Sequence, residues 1–214
     1  MNGTDPVGIL GGTFDPLHAG HLALAQEALR QLNLSCVILI PAGSPWQRHP
    51  EAPARDRLEM VRRGTRDAPG LAVDDREIRR SGPTYTIDTI QELRADWGAQ
   101  RPLWLILGAD AFLRLPTWHR WAELLDQVHL AVFCRPGSPL NPAAMPLALR
   151  EEFERRHLPA RQAQGAGGAI ASCHMPLLEI SATHIRNALH AGQPPADLLP
   201  PAVLDYIETH QLYR

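Results

Sequence analysis

The chain has 214 residues, 44% of them hydrophobic, and a formal net charge of −2. That is the length and apolar content of one globular domain, without the basic field that bulk nucleic-acid binding needs. No apolar run approaches the ~18 residues of a membrane-spanning helix, so neither nucleic acid nor membrane is an expected partner. All 21 basic residues are arginine. This rules out a P-loop lysine, a Schiff-base lysine and pyridoxal-phosphate chemistry, and leaves Arg and His as the phosphate-clamping cations. No charged-then-apolar leader precedes the first strand. Cys36, Cys134 and Cys173 lack metal-type spacing and suit a reducing compartment, so the expected location is the cytoplasm.

Val7-Gly8-Ile9-Leu10 predicts a buried strand. Gly11 and Gly12 follow, then Thr13-Phe14-Asp15-Pro16, then His18 and His21 at the entrance of a helix over 20–32 whose apolar positions are Leu22, Ala23, Ala25, Leu29 and Leu32. Glycines without a Cβ let a phosphate approach the backbone. The helix start offers free N–H groups and a positive dipole end. His18 and His21, three residues apart, add donors on the same face. A metal at the two histidines lacks a third ligand, so no protein metal site is expected.

Residues 36–40 predict a fully buried parallel strand, which completes a right-handed βαβ unit. The Pro-rich segment 42–54 predicts a surface loop carrying Trp46, Gln47 and Arg48 where α/β proteins bind ligands. A helix follows over 55–66, with Leu58, Met60 and Val61 inward and its arginines outward. Then come a short strand at 71–74, a charged stretch 75–80 leading to a turn, and a Thr-capped helix starting near Thr84-Tyr85-Thr86. Free N–H groups at that helix start would suit a carboxylate or phosphate.

Residues 103–107 predict a second core strand running into Gly108-Ala109-Asp110. The Asp110 carboxylate either accepts from a nucleoside or caps the helix at 111–115. Trp118 sits at the next helix entry, where its face can meet a ligand ring. A strand over 128–133 ends near Arg135, a phosphate or base contact or a solvated loop arginine. A helix spans 147–157, and a Gln/Ala/Gly-rich stretch, 161–168, is expected to be mobile. Residues 175–180 predict the last strand. Ser181 then caps a helix over 182–191 whose first turn, with Arg186, would converge on an anion. A final helix spans 201–211. The pattern predicts an α/β, doubly wound parallel sheet with its cleft at the carboxyl ends of the strands. It forms a single domain over 1–214, in which residues 181–214 make a small C-terminal helical lobe.

The run Gly11-Gly12-Thr13-Phe14-Asp15-Pro16-Leu17-His18-Ala19-Gly20-His21 resembles the signature of the HxGH nucleotidyltransferases. Ile180-Ser181-Ala182-Thr183-His184-Ile185-Arg186 is similar to the second signature of that superfamily. Gly82 to Thr86, Gly108 to Asp110, Pro116-Thr117-Trp118 and the tail from Asp197 are similar to a bacterial branch whose acceptor is nicotinate mononucleotide. One departure is Ser44-Pro45-Trp46-Gln47-Arg48, where many relatives carry Pro-Pro-His-[KR].

The resemblance implies a Rossmann-like nucleotidyltransferase fold that moves AMP from ATP to nicotinate mononucleotide in NAD biosynthesis, with Mg²⁺ carried on the ATP phosphates. It implies His18, His21 and Arg186 as catalytic groups. It places ATP on Gly11, Gly12, Thr13, Phe14, Gly108, Asp110, Arg135, Ser181 and Thr183. The acceptor falls to Arg48, Thr84, Tyr85, Thr86 and Trp118, and a homo-oligomer stays open. The alternatives are a sister transferase with another phosphate-bearing acceptor and a nucleotide-binding regulator without catalysis.

Overall fold

A computed structural model describes residues 5–135, 137–175 and 180–214. Six strands form one sheet: β1 (Val7–Gly12), β2 (Cys36–Pro41), β3 (Leu71–Val73), β4 (Leu103–Gly108), β5 (His129–Cys134) and β6 (Ile170–His174). Their order is β3-β2-β1-β4-β5-β6, and every pairing is parallel. The central strands read as unbroken apolar runs because both faces of the sheet are covered. Their two-residue period sorts side chains cleanly. Leu10, Val37, Leu39, Trp104, Ile106 and Phe133 join one core. Ile9, Ile38, Ile40, Leu105, Leu107 and Val132 join the other.

Helices α1 (Ala19–Gln31), α2 (Ala54–Thr65), α8 (Ala182–His190) and α9 (Pro201–Thr209) cover the first face through Ala25, Met60, Val61, Ile185, Val203 and Ile207. The second face is covered by α4 (Thr86–Trp97), α5 (Ala109–Leu113), α6 (Trp121–Gln127) and α7 (Leu147–Arg156), through Ile87, Ile90, Phe112, Leu124 and Phe153. The helices after Ser181 thus share the sheet's own core, and α9 packs on α2. All three cysteines are buried thiols. No helix among the described residues is long and apolar enough to cross a membrane.

Four expectations are corrected. The sixth strand occupies Ile170–His174; of the segment expected there, residues 176–179 lie outside the described residues. As an edge strand, β6 exposes Ser172 and His174 while burying Ile170, Ala171 and Cys173, so its apolar signal is diluted. Residues 75–80 include a helix, α3 (Arg76–Arg79), with Glu77 buried. The 161–168 stretch is bonded to the sheet: Leu103 N–H donates to the Ala166 carbonyl at 3.1 Å, Arg94 Nη2 to the same oxygen at 2.8 Å, and His129 Nε2 lies 3.1 Å from the Gly165 carbonyl. Finally, Arg57 of α2 points inward and is 1% exposed.

The strand order reverses between β1 and β4, whose following helices, α1 and α5, lie on opposite faces. The carboxyl ends of these two strands therefore bound an open crevice, the position where such sheets bind ligands.

Candidate active site

The crevice is a cleft of about 560 Å³, lined by Gly11 to Asp15 and His21 on one side and by Leu105 to Gly108, Ala111, Arg114 and Trp118 on the other. Trp46 to Pro50, Glu77, Thr84, Thr86, Ala182 and Arg186 complete its rim. A Cβ built on Gly11 or Gly108 would meet nothing within 4 Å. The two glycines therefore leave bare backbone facing open space at the ends of both strands. Phe14 adopts φ +50, a left-handed conformation that is uncommon for a bulky residue. It turns the ring under Gly12 and edge-on to His21, at 4.9 Å between centroids.

His18 and His21 take different places. His18 caps α1, is 7% exposed and does not line the cleft. Its ring stacks behind His21 at 3.7 Å. Burial pushes the His18 pKa down to about 4. His21 faces the cleft and is driven in the same direction by burial, then by His18 and Arg48, so both rings are neutral near pH 7. The His18 N–H donates to His21 Nδ1 at 3.3 Å. That bond makes Nδ1 an acceptor and puts the single proton of His21 on Nε2, ready to donate to an anion.

Arg186 reaches the same end from the first turns of α8, where the Ser181 hydroxyl accepts from the His184 N–H at 3.3 Å and so caps the helix. The Arg186 guanidinium donates to the Asp15 carbonyl at 2.8 Å and to the Glu51 carboxylate at 2.5 Å. Its Nη2 lies 3.5 Å from the Thr183 hydroxyl. Glu51 also pairs with His190 at 2.9 Å. The guanidinium is thus held between Asp15 and Glu51.

Two groups that sequence reasoning missed hold the cleft in shape, Arg57 from behind it and Asp15 at its wall. Arg57 donates from Nη1 to the Thr13 carbonyl at 2.7 Å, from Nη2 to the Gly43 carbonyl at 3.2 Å and from Nε to the Ala52 carbonyl at 3.2 Å. One buried cation thus ties the turns after β1 and β2 to the start of α2. The Asp15 carboxylate accepts from the backbone N–H of Glu51 at 2.8 Å and of Ala52 at 3.0 Å, and from the Tyr213 hydroxyl at 2.7 Å. A signal for Asp15 existed in the Asp-Pro of the glycine turn. Nothing local distinguishes Arg57 from its exposed neighbours on α2. Gly43 must be glycine for a steric reason: its Cβ would sit 2.0 Å from the Glu77 carbonyl.

At the other end, Thr84 and Thr86 flank Tyr85, the residue that precedes α4. The expected threonine cap does not form, because no side chain caps this helix. The Thr84 hydroxyl is instead buried at the cleft wall without a well-formed hydrogen bond, and the first N–H groups of α4 have no partner within the helix. Tyr85 lies outside the lining, packed between Trp46 and His119. Gln47 reaches across to the Thr117 hydroxyl at 2.9 Å, beside Trp118, and Pro45 bridges Thr84. The loop carrying Arg48 is thereby tied to both the β4 and α4 sides of the cleft. Burial pushes the Glu77 carboxyl above the usual range, against its bond from the Thr89 hydroxyl at 2.6 Å.

The structure therefore brings Gly11, Gly12, Thr13, Phe14, His21, Arg48, Thr84, Thr86, Gly108, Trp118 and Arg186 into one cleft. It sets His18 and Tyr85 behind that lining and leaves Ser181 and Thr183 exposed on either side of Ala182. Asp110 and Arg135 are exposed and outside it. Asp110 does not cap α5, whose N-terminus lacks a side-chain cap. Among the described residues no group of three His, Cys, Asp or Glu side chains could hold a metal ion.

Comparison with known proteins gives the family of the chain. The family model described as cytidylyltransferase-like matches residues 9–188. Probable nicotinate-nucleotide adenylyltransferases are 44% identical in Dechloromonas aromatica, over 99% of both chains, and 45% identical in Pseudomonas fluorescens, over 97% of both. Among solved structures, the fold matches Plasmodium falciparum nicotinic acid mononucleotide adenylyltransferase complexed with NaAD, at TM-score 0.75 and 17% identity over 98% of this chain and 97% of that one. With its crevice, its paired histidines and its α8 arginine in the positions described, the chain belongs to the cytidylyltransferase-like family and, within it, to the nicotinate-nucleotide adenylyltransferases.

Proposed function

We propose that this protein transfers the adenylyl group of ATP to nicotinate mononucleotide, releasing pyrophosphate and forming nicotinate adenine dinucleotide. The observation that carries the reading is the convergence of bare backbone at Gly11, the Nε2–H of His21 and the guanidinium of Arg186 at one end of a cleft whose other end holds Trp118 and the α4 start. The acceptor's nucleophile is a phosphate monoester with a second pKa of about 6, so at neutral pH its oxygen attacks without a general base. It forms a new P–O bond at the α-phosphorus, and the bond to the β-phosphate oxygen breaks with its electron pair leaving on pyrophosphate. The protein aligns two anions and stabilises the charge that builds between them.

His21 donates to the α-phosphate oxygen, and His18 holds it as the Nε2–H tautomer. Arg186 and the Ser181–Thr183 turn take the β- and γ-phosphates, and the turn from Gly11 to Phe14 offers backbone to the reacting centre. Gly108 offers its bare backbone to the adenosine side, while Asp110 and Arg135, outside the cleft lining, take no part in this reading. Trp118 stacks on the pyridine ring, the N–H groups near Tyr85 and Thr86 with the Thr84 hydroxyl receive its carboxylate, and Arg48 neutralises the acceptor phosphate. Bound together with ATP, Mg²⁺ would supply charge neutralisation on the phosphates.

The test is pyrophosphate release from ATP and Mg²⁺ with nicotinate mononucleotide, nicotinamide mononucleotide or phosphopantetheine as acceptor. Preference for the first is expected. Turnover with another acceptor alone would overturn the acceptor assignment. Silence with all three, despite ATP binding, would overturn the catalytic one.

A further inference from the structure

Tyr213 lies beyond α9, far in sequence from the glycine turn, yet its hydroxyl donates to Asp15 Oδ1 at 2.7 Å in a buried contact. The ring reaches Asp15 through an unusual backbone path: Gln211 and Tyr213 adopt φ +56 and +60. Left-handed conformations at non-glycine residues are costly and persist where the surroundings enforce them. Burial and the neighbouring carboxylate push the Tyr213 hydroxyl above its ordinary value, so it keeps its proton and donates.

Asp15 is a junction. Its carboxylate holds the backbone of Glu51 and Ala52, its carbonyl takes Arg186 Nη1 at 2.8 Å, and Glu51 grips the same guanidinium. Among the described residues, Tyr213 supplies the side-chain hydrogen bond to this carboxylate, and Arg186 Nη1 lies 3.8 Å from its Oδ2. A carboxylate freed to rotate would release the two N–H groups and, with them, the position of Arg186.

We propose that Tyr213 is a positioning residue for the triphosphate, acting through Asp15 on Arg186 and the 51–52 segment. This rests on the assignment of Arg186 to the β- and γ-phosphates. The control is Tyr206, on α9, whose hydroxyl donates to Asp56 at the same 2.7 Å and which does not line the cleft.

Tyr213→Phe and Tyr206→Phe are compared by thermal melting and by steady-state kinetics with ATP and nicotinate mononucleotide. Tyr213→Phe is expected to raise the KM for ATP about fivefold or more, lower kcat and leave the acceptor KM within about twofold. Tyr206→Phe should move only the melting temperature. Unchanged kinetics in Tyr213→Phe, or equal losses for both substrates that track its melting temperature, would overturn the proposal.

A second measurement needs no Tyr213 variant. The chain has three tyrosines, and replacing them with 3-fluorotyrosine gives three ¹⁹F resonances that Tyr85→Phe and Tyr206→Phe assign. A non-hydrolysable ATP analogue should move the Tyr213 signal and not the Tyr206 signal. A Tyr213 signal unmoved at saturating analogue would overturn the proposal. Absence of turnover in the unsubstituted protein would refute the activity reading alone, since the fluorine shift still reports on the Tyr213 contact.

Discussion

Arg57→Met is the sharpest test of how the cleft is held in shape. The substitution keeps an apolar stem of similar length and removes the guanidinium. Three carbonyls, of Thr13, Gly43 and Ala52, then lose their donors in a place where the native side chain is 1% exposed. Hydrogen bonds from a charged donor contribute about 1.5–3 kcal/mol each. Against their sum stands the cost of burying a cation that has no ion pair among the described residues, which the variant no longer bears; burial pulls this guanidinium's pKa downward, against the charge of Asp15. Taking the two together, a net loss of about 3 kcal/mol is expected. For a chain of this size that corresponds to a melting point lower by about 6–12 °C. Denaturant unfolding and thermal melting should agree on the loss. The KM for ATP should rise as well, because the Thr13 carbonyl belongs to the glycine turn. A melting point within 2 °C of the parent would refute the reasoning, since three buried acceptors would then have found other donors at no cost.

Four further outcomes follow from the site. His21→Ala should cut kcat by about 10²–10³-fold while leaving the Kd for ATP within a few-fold, the pattern of a donor used chiefly in the transition state; a loss confined to Kd would place His21 in ground-state binding. Gly11→Ala should fold normally, because its Cβ meets nothing within 4 Å, yet lose ATP affinity at least tenfold by calorimetry as the methyl fills phosphate space. Trp118→Ala should raise the KM for the acceptor more than that for ATP, and an effect on ATP alone would reverse the placement of the two substrates. For His18, whose folded pKa is lowered to about 4, the unfolded chain binds the extra proton first. Its contribution to stability is therefore complete above pH 6.5 and is lost as pH falls from 6.5 towards 4, by up to about 3 kcal/mol. The pH dependence of melting in that window should flatten in His18→Asn, and identical curves would remove His18 from the account.

The central strands and most helices were legible because their periods are clean: 36–40 and 103–107 are continuous apolar runs, and Ile87, Ile90 and Leu93 repeat at helical spacing. The glycine turn and its histidines were legible because glycine and histidine at those spacings have few other uses. The misreadings have a common cause. Ile170–His174 is an edge strand with alternate residues in solvent, so a stronger apolar run nearby drew the assignment. Arg57 looks like its neighbours on α2, and only the arrival of three loops at one point makes it interior. Tyr213 acquires meaning through a residue 198 positions away, a relation that no local pattern carries.

The buried thiols have a practical consequence. Cys36, Cys134 and Cys173 are all interior, and burial raises the Cys173 thiol to about 11, which suppresses the thiolate that alkylating reagents attack. With no lysine in the sequence, side-chain amines do not compete either. A single cysteine introduced at exposed Trp46, or at exposed Glu151 on α7, should be modified by a maleimide far faster than the native thiols. The 42–54 loop or α7 can then carry a spectroscopic reporter without interference from the native thiols.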